Sequence, residues 1–339
     1  MTTYHEVATR LIELGLLSEA KAEEVLADRD GAVDGEGLLW AFEEFGVAFH
    51  LTMEQKVGSG LEAHERGYRD WLEYTAGFTR GAVVIEDVVL IQPDADHAFL
   101  HFRTNGRTCW WSIETEFLES KYLDAMPLLN LSDYEPGGDD PREFYEISLH
   151  GTTTGYHVLV DDAQGHGLAR TYDLQLPGLT TPYETPATAP ASEPRKSVED
   201  WLAETAATLP ALRAELPRWA PDPVEALERL VLDRFADKDA YRAAEDSPFV
   251  NAAARFLGEE FHRLAPSHWT TDLHPRWFRL AFDDVPFEFQ SDGCPFRTLW
   301  WFVEERRPGT LRAEVARFQA SYDRYLRVLA EVERRLASR

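Results

Sequence analysis

Two cysteines in 339 residues, Cys109 and Cys294, leave no material for a disulfide framework. Both are expected as reduced residues of the core. Long apolar runs are missing too: no stretch of about 18 uncharged apolar residues occurs, so no membrane-spanning helix is legible. Residues Met1 to Glu13 carry acidic side chains where a signal peptide has a basic start and an apolar stretch, and the location expected is cytoplasmic. Lysine is scarce, 5 against 29 arginines, a bias that with abundant alanine points to a GC-rich bacterial genome. Positive charge as a whole is short, with 34 basic against 60 acidic side chains and a net charge of −26. A field of that sign repels phosphate backbones and anionic headgroups, so neither nucleic acid nor a membrane is an expected partner.

Catalytic signatures are also lacking. Gly151-Thr152-Thr153-Thr154-Gly155 has neither the lysine nor the following helix of a phosphate-binding loop and reads as a hairpin turn. There is no Gly-x-Ser-x-Gly elbow, no Cys-x-x-Cys pair and no His-Glu-x-x-His helix. No cofactor is implied.

What is present is enough apolar surface to fold: 44% hydrophobic and 12% aromatic residues. The length favours two domains. Acidity is uneven, since residues 1–176 hold 33 acidic and 12 basic side chains, a net of −21, and the remainder is near balance. Solubility explains such a surface; so does a basic protein partner, or mimicry of nucleic acid.

Apolar spacing predicts a helical hairpin over Tyr4 to Asp28 with Ser18 capping its second arm, then helices near Gly37 to Phe49 and Leu61 to Phe78. Tyr68, Trp71, Leu72 and Thr75 share one face of the latter. Leu14-Gly15-Leu16-Leu17-Ser18-Glu19 resembles the N-terminal helical modules of type II secretion ATPases, some of which bind a cyclic dinucleotide. The resemblance covers about 25 residues, and the tandem copy those modules need is degraded around Gly46 and Val47.

Alternation then predicts strands at 82–91, 98–103, 108–114, 144–150, 156–160 and 169–176, in one antiparallel sheet with helices on one face. Five prolines between Pro177 and Lys196 mark a linker. Helices follow over 198–216, 224–244 and 249–264, then a short β region over 277–304. A final helix over about 310–338 carries a heptad seam of Leu311, Val315, Phe318, Tyr322, Tyr325, Leu329, Val332 and Leu336. That seam packs on its own domain or pairs with a second copy. The expectation is an α+β chain of two domains, each an antiparallel sheet flanked by helices: 1–176, and 197–339, the second mostly helical.

Within this frame one element recurs. Arg107-Thr108-Cys109-Trp110-Trp111-Ser112-Ile113-Glu114 returns as Arg297-Thr298-Leu299-Trp300-Trp301-Phe302-Val303-Glu304, five of eight positions identical. An Asn105-Gly106 turn precedes the first copy and Asp292-Gly293 the second, which predicts the same three-stranded meander in each half, a diverged duplication. Strand alternation turns Cys109, Trp111 and Ile113 inward, and leaves Thr108, Trp110 and Glu114 outward beside Thr298, Trp300 and Glu304 of the second copy. Both outer faces pack against other elements, or they form a recognition surface anchored on tryptophan.

Histidines offer a competing reading. His97 and His101 share one strand face with Asp94 and Asp96 in the turn before, a set that could hold a divalent ion. His262, His268, Asp272 and His274 form a looser group, and His150, His157 and His166 flank a hairpin. The function expected first is a non-enzymatic protein-binding protein, an immunity, inhibitor or adaptor component of a bacterial defence or toxin system, whose partner has a basic surface. The alternatives are a metal-dependent hydrolase with a histidine and carboxylate site between the halves, and a structural subunit assembling as a homo-oligomer through 310–338.

Overall fold

The computed structural model describes residues 2–33, 35–52, 54–180, 196–216, 222–271, 277–291 and 293–339. Most of the expected linker, 181–195, lies outside the described residues, as do Asp272, His274 and Asp292. The chain divides into two compact units, Met1–Pro186 with Glu331–Arg339, and Ala187–Ala330.

The first unit opens with β1 (Thr2–Thr3) and α1 (Tyr4–Glu13), where Thr3 and Glu6 form a reciprocal capping box. Then come α2 (Glu19–Leu26), capped by Ser18 as expected, β2 (Ala32–Val33), α3 (Gly35–Glu44), β3 (Ala48–His50) and α4 (Leu61–Gly77). The strands β4 (Ile85–Ile91), β5 (Ala98–Thr104) and β6 (Arg107–Ile113) form an antiparallel meander. Its second turn uses positive φ at both Asn105 (51°) and Gly106 (79°), the conformation that a two-residue hairpin demands. After α5 (Thr115–Glu119) come β7 (Glu143–Leu149), β8 (Thr152–Val160), α6 (Asp162–Tyr172) and β9 (Leu174–Gln175).

The single sheet expected over 82–176 is two sheets. The meander stands as a three-stranded sheet, while β3, β8, β7 and β9, in that order, make a four-stranded one. Half of the strand expected over 169–176 is the end of α6, because Asp161 and Gln164 build a capping box that starts a helix there. The four-stranded sheet parts two cores by simple alternation. Phe49, Phe144 and Leu159 face the core shared with α4 and the meander, whereas Ala48, Ile147, Val158 and Val160 face the core shared with α1, α3 and α6.

α4 lies on the three-stranded sheet through Tyr68, Trp71 and Leu72, as its spacing predicts, against Leu100, Phe102, Cys109 and Trp111. Its polar side meets the open edge of β4. Glu65, 7% exposed, accepts from the Leu90 N–H at 3.0 Å and pairs with Arg69, Arg335 and Arg339 at 3.1, 3.0 and 2.8 Å. Those arginines in turn donate to the outward carbonyls of Val88 and Leu90. The edge that would otherwise invite another strand is thereby closed by side chains.

The second unit is built from α7 (Val198–Glu215), α8 (Pro223–Arg234), α9 (Lys238–Ala243), α10 (Pro248–Leu264), the hairpin β10 (Ser267–Thr271) with β11 (Phe278–Phe282), α11 (Pro295–Glu305) and α12 (Thr310–Ala337). Trp201 is buried at its centre, stacked on Phe278 at 4.8 Å, its indole N–H donating to Asn251. From Phe318 to Tyr325 the heptad seam of α12 is occupied inside this unit. Phe318 packs on Phe261 and Phe282, Tyr322 on Phe282 and Tyr325 on Phe289. Buried Glu228 starts the helix, accepting from the N–H groups of Gly309 and Leu311, each at 2.8 Å.

The expected second meander does not form among the described residues. β11 pairs with β10 and, through one bridge, with Gly293, while the second motif copy is α11. Pro295 sits in its first turn, and the replacement of Ser112 by Phe302 changes the apolar period: Phe296, Leu299, Phe302 and Val303 make a buried helical stripe where Cys109, Trp111 and Ile113 alternate. The α+β class stands, with antiparallel sheets throughout. Among the described residues no helix is long and apolar enough to cross a membrane.

The Glu65 cluster gives a direct prediction. Glu65→Ala strands three arginines and one edge N–H, and chemical denaturation should show a loss of roughly 2–4 kcal/mol, less than a fully buried network because the arginines reach solvent. A change under about 0.5 kcal/mol would contradict the assigned role.

Candidate functional site

The residues singled out by the repeat do not form the expected surface. Trp110 is only 6% exposed, because the second face of the three-stranded sheet is buried as well, with Val89, Ile91, Phe99 and His101 beside it. Thr108 and Glu114 are exposed, without a solvent-facing tryptophan between them. In the second copy helical geometry rotates the set. Thr298 is buried with its hydroxyl donating to the Cys294 carbonyl at 3.0 Å, and Trp300 is half-buried. Glu304 pairs with Lys238 at 2.7 Å on the surface. The outward tryptophan is Trp301, 43% exposed, on a pocket of about 390 Å³ that also takes in Thr298, Glu305, Arg307, Glu314 and Arg317.

Nor do the described histidines assemble. His97 Nδ1 lies 2.7 Å from Asp94, which also accepts from the Asp96 N–H. His101 is buried against Trp110, ring centroids 4.8 Å apart, and its Nδ1–H donates to the Asp87 carbonyl. Among the described residues no group of three or more His, Cys, Asp or Glu is placed to hold a metal ion. His262 is on Ser267 and His268 on Asp283. His157 is stacked on Phe49, His150 sits in the β7–β8 turn and His166 is exposed on α6. Both cysteines are buried outside any disulfide, and burial pushes the Cys109 thiol up to about 11.

The first unit does hold a built cleft of about 490 Å³, on the flank of α4 opposite the sheet edge. Its lining includes Glu43, His50, Lys56, Asp70, Trp71 and Tyr74. Gly67 sets its floor: a Cβ there would sit 2.4 Å from Val57, so only glycine lets the 54–57 segment close on the helix. One and two turns on, helical spacing puts Asp70, Trp71 and Tyr74 along the same wall. The rings of Trp71 and Tyr74 stand 5.7 Å apart at 41°. Trp71 is buried, and Tyr74 is 40% exposed.

Two phenols fix the opposing carboxylate. Tyr74 donates to Glu43 Oε1 at 2.7 Å and Tyr156 to Oε2 at 3.3 Å. Burial, reinforced by the hydrogen bond to Glu43, pushes the Tyr74 phenol well above its ordinary range, so it remains a donor. His50 stacks on Tyr156 at 4.6 Å. One turn before Glu43 on α3, Trp40 is 60% exposed. A part-exposed phenol ring backed by a buried indole, with carboxylates alongside, is suited to binding a cation or a basic surface.

Motifs and repeats do not single out Trp40, Glu43, Asp70 or Tyr74. A signal is present: on α3 the inward stripe is Leu39 and Phe42, which leaves a tryptophan off it, and on α4 Asp70 and Tyr74 flank the apolar face at i and i+4. No protein-family model, curated protein or solved structure matches this chain significantly.

The buried histidines predict a pH response. Burial lowers the pKa of both His101 and His157 below the ordinary 6.5, so below that pH the unfolded chain binds protons that the folded one refuses. Their contribution is intact above about pH 6.5 and is lost as pH falls, at up to about 1.4 kcal/mol per unit for each. Melting followed from pH 7.5 to 5 should show a shallower decline for His101→Phe with His157→Phe than for the parent; identical slopes would refute it.

Proposed function

We propose that this chain is a non-enzymatic protein-binding protein whose first unit docks a partner with a basic surface. The observation that carries the reading is the Trp71–Tyr74 cleft, bordered by Glu43 and Asp70, on the part of the chain where 33 acidic side chains face 12 basic ones. Aromatic rings supply contact area at low entropic cost, and the surrounding field speeds encounter with a cation-rich surface. Trp40, one turn before Glu43 on α3, adds another exposed aromatic side chain to this unit. The same field disfavours nucleic acid as the partner.

Within this class we place the protein among immunity, inhibitor or adaptor components of bacterial defence or toxin systems, where occupying a basic toxin or nuclease requires an acidic, aromatic face. Homo-oligomerisation through residues 310–338 is the second assembly mode proposed, restricted to seam positions left half-buried, such as Leu329 and Leu336.

Capture from the encoding organism with the full chain as bait tests the reading. The expected partner is basic, and its binding weakens steeply between about 0.05 and 0.5 M salt. Trp40→Ala with Tyr74→Ala should cost about 2 kcal/mol or more, roughly 30-fold in affinity, while Trp301→Ala leaves it unchanged. An acidic partner, or one indifferent to the first pair and sensitive to Trp301→Ala, would overturn the assignment.

A further inference from the structure

We infer that the cleft between α4 and β3 is a pocket for one guanidinium, an arginine side chain of the partner; this rests on the docking role proposed above. Three features of the cleft point to that group rather than to a diffuse positive surface.

The first is the state of Glu43. A carboxylate offers about four acceptor positions, two on each oxygen. Tyr74 takes one on Oε1 and Tyr156 takes one on Oε2, which leaves one on each oxygen of a group that lines the cleft. Two parallel acceptors on a fixed carboxylate match the two parallel N–H donors of a guanidinium edge. An ammonium is a point donor and uses only one. Because the two phenols hold the carboxylate in place before anything binds, little side-chain entropy remains to be lost on binding.

The second is the wall. The Tyr74 ring is 40% exposed and tilted 41° from that of Trp71, giving the plane of a guanidinium an aromatic surface to lie on. The third is Asp70, exposed on the same wall, with no salt bridge to any of the described cations. Lys56 also lines the cleft, toward Gly67, and seven residues of helix, about 10 Å, separate Gly67 from Tyr74. The cation of a ligand therefore belongs at the Tyr74 and Glu43 end.

The test is an NMR titration of the full chain with Ac-Gly-Arg-Gly-NH2 in about 0.15 M salt. Ac-Gly-citrulline-Gly-NH2 has nearly the same shape without the charge, and Ac-Gly-Lys-Gly-NH2 has the charge without the fork. The arginine peptide should shift the signals of Asp70, Trp71 and Tyr74 with millimolar affinity, the lysine peptide bind a few-fold more weakly and the citrulline peptide at least about tenfold more weakly. Asp70→Asn, at an exposed position, should weaken the arginine peptide several-fold with the spectrum otherwise unchanged. Tyr74→Phe keeps the ring and releases Glu43 Oε1, leaving only Tyr156 to hold the carboxylate, and should erase the preference for arginine over lysine. Equal binding of arginine and citrulline peptides, or shifts lying outside the cleft, would overturn the inference. A parallel titration with poly-L-arginine separates the two proposals: binding of the polymer that Trp40→Ala and Tyr74→Ala weaken, without tripeptide binding, removes the pocket and keeps the docking face. Failure of both removes both.

Discussion

The carboxylate of Glu65 is where a helix, a sheet edge and the last residues of the chain meet in the first unit. It is 7% exposed and serves four donors, the Leu90 N–H and three arginines. A lone buried carboxylate would be costly, and so would the unpaired edge of β4; placing one against the other removes both costs. The strand itself is bent there, since its register shifts between Glu86 and Val89 with Asp87 at positive φ, so its outer carbonyls are turned toward the arginines. Fixing α4 on this side fixes the flank that carries Asp70, Trp71 and Tyr74, and the cleft inherits its rigidity from the edge.

Much of the fold is legible because its elements obey one period each. α1, α2, α4, α7, α10 and α12 lie where apolar spacing puts them, and the Asn105-Gly106 turn fixes the β5–β6 hairpin. The repeat fails for a reason equally local. Its five identical residues, Arg, Thr, Trp, Trp and Glu, are compatible with either period, and the three that differ decide. Ser112 keeps a strand's alternation, whereas Phe302 completes a helical stripe with Leu299 and Val303, and Pro295 supplies the helix start. Identity in the letters therefore does not carry over to conformation.

The site was less legible. Alternation correctly sorted Trp110 and Trp111 onto opposite faces of β6, yet it could not show that both faces are covered. The cleft arises from contacts between residues far apart in the chain, Glu43 with Tyr74 and Tyr156, and Gly67 with Val57. Periodicity marks which side of a helix is apolar. It does not reveal which exposed aromatic has a carboxylate pinned opposite, so the tryptophan pair drew attention that belonged to Trp40 and Tyr74.

Hydrogen exchange of the full chain with and without its captured partner tests the central claim most directly. The account predicts slowed exchange at the end of α3, around residues 40–46, and along the outer half of α4, residues 67–77, with the second unit unchanged. Protection confined to α11 and the start of α12, with α3 and α4 exchanging as in the free chain, would contradict it.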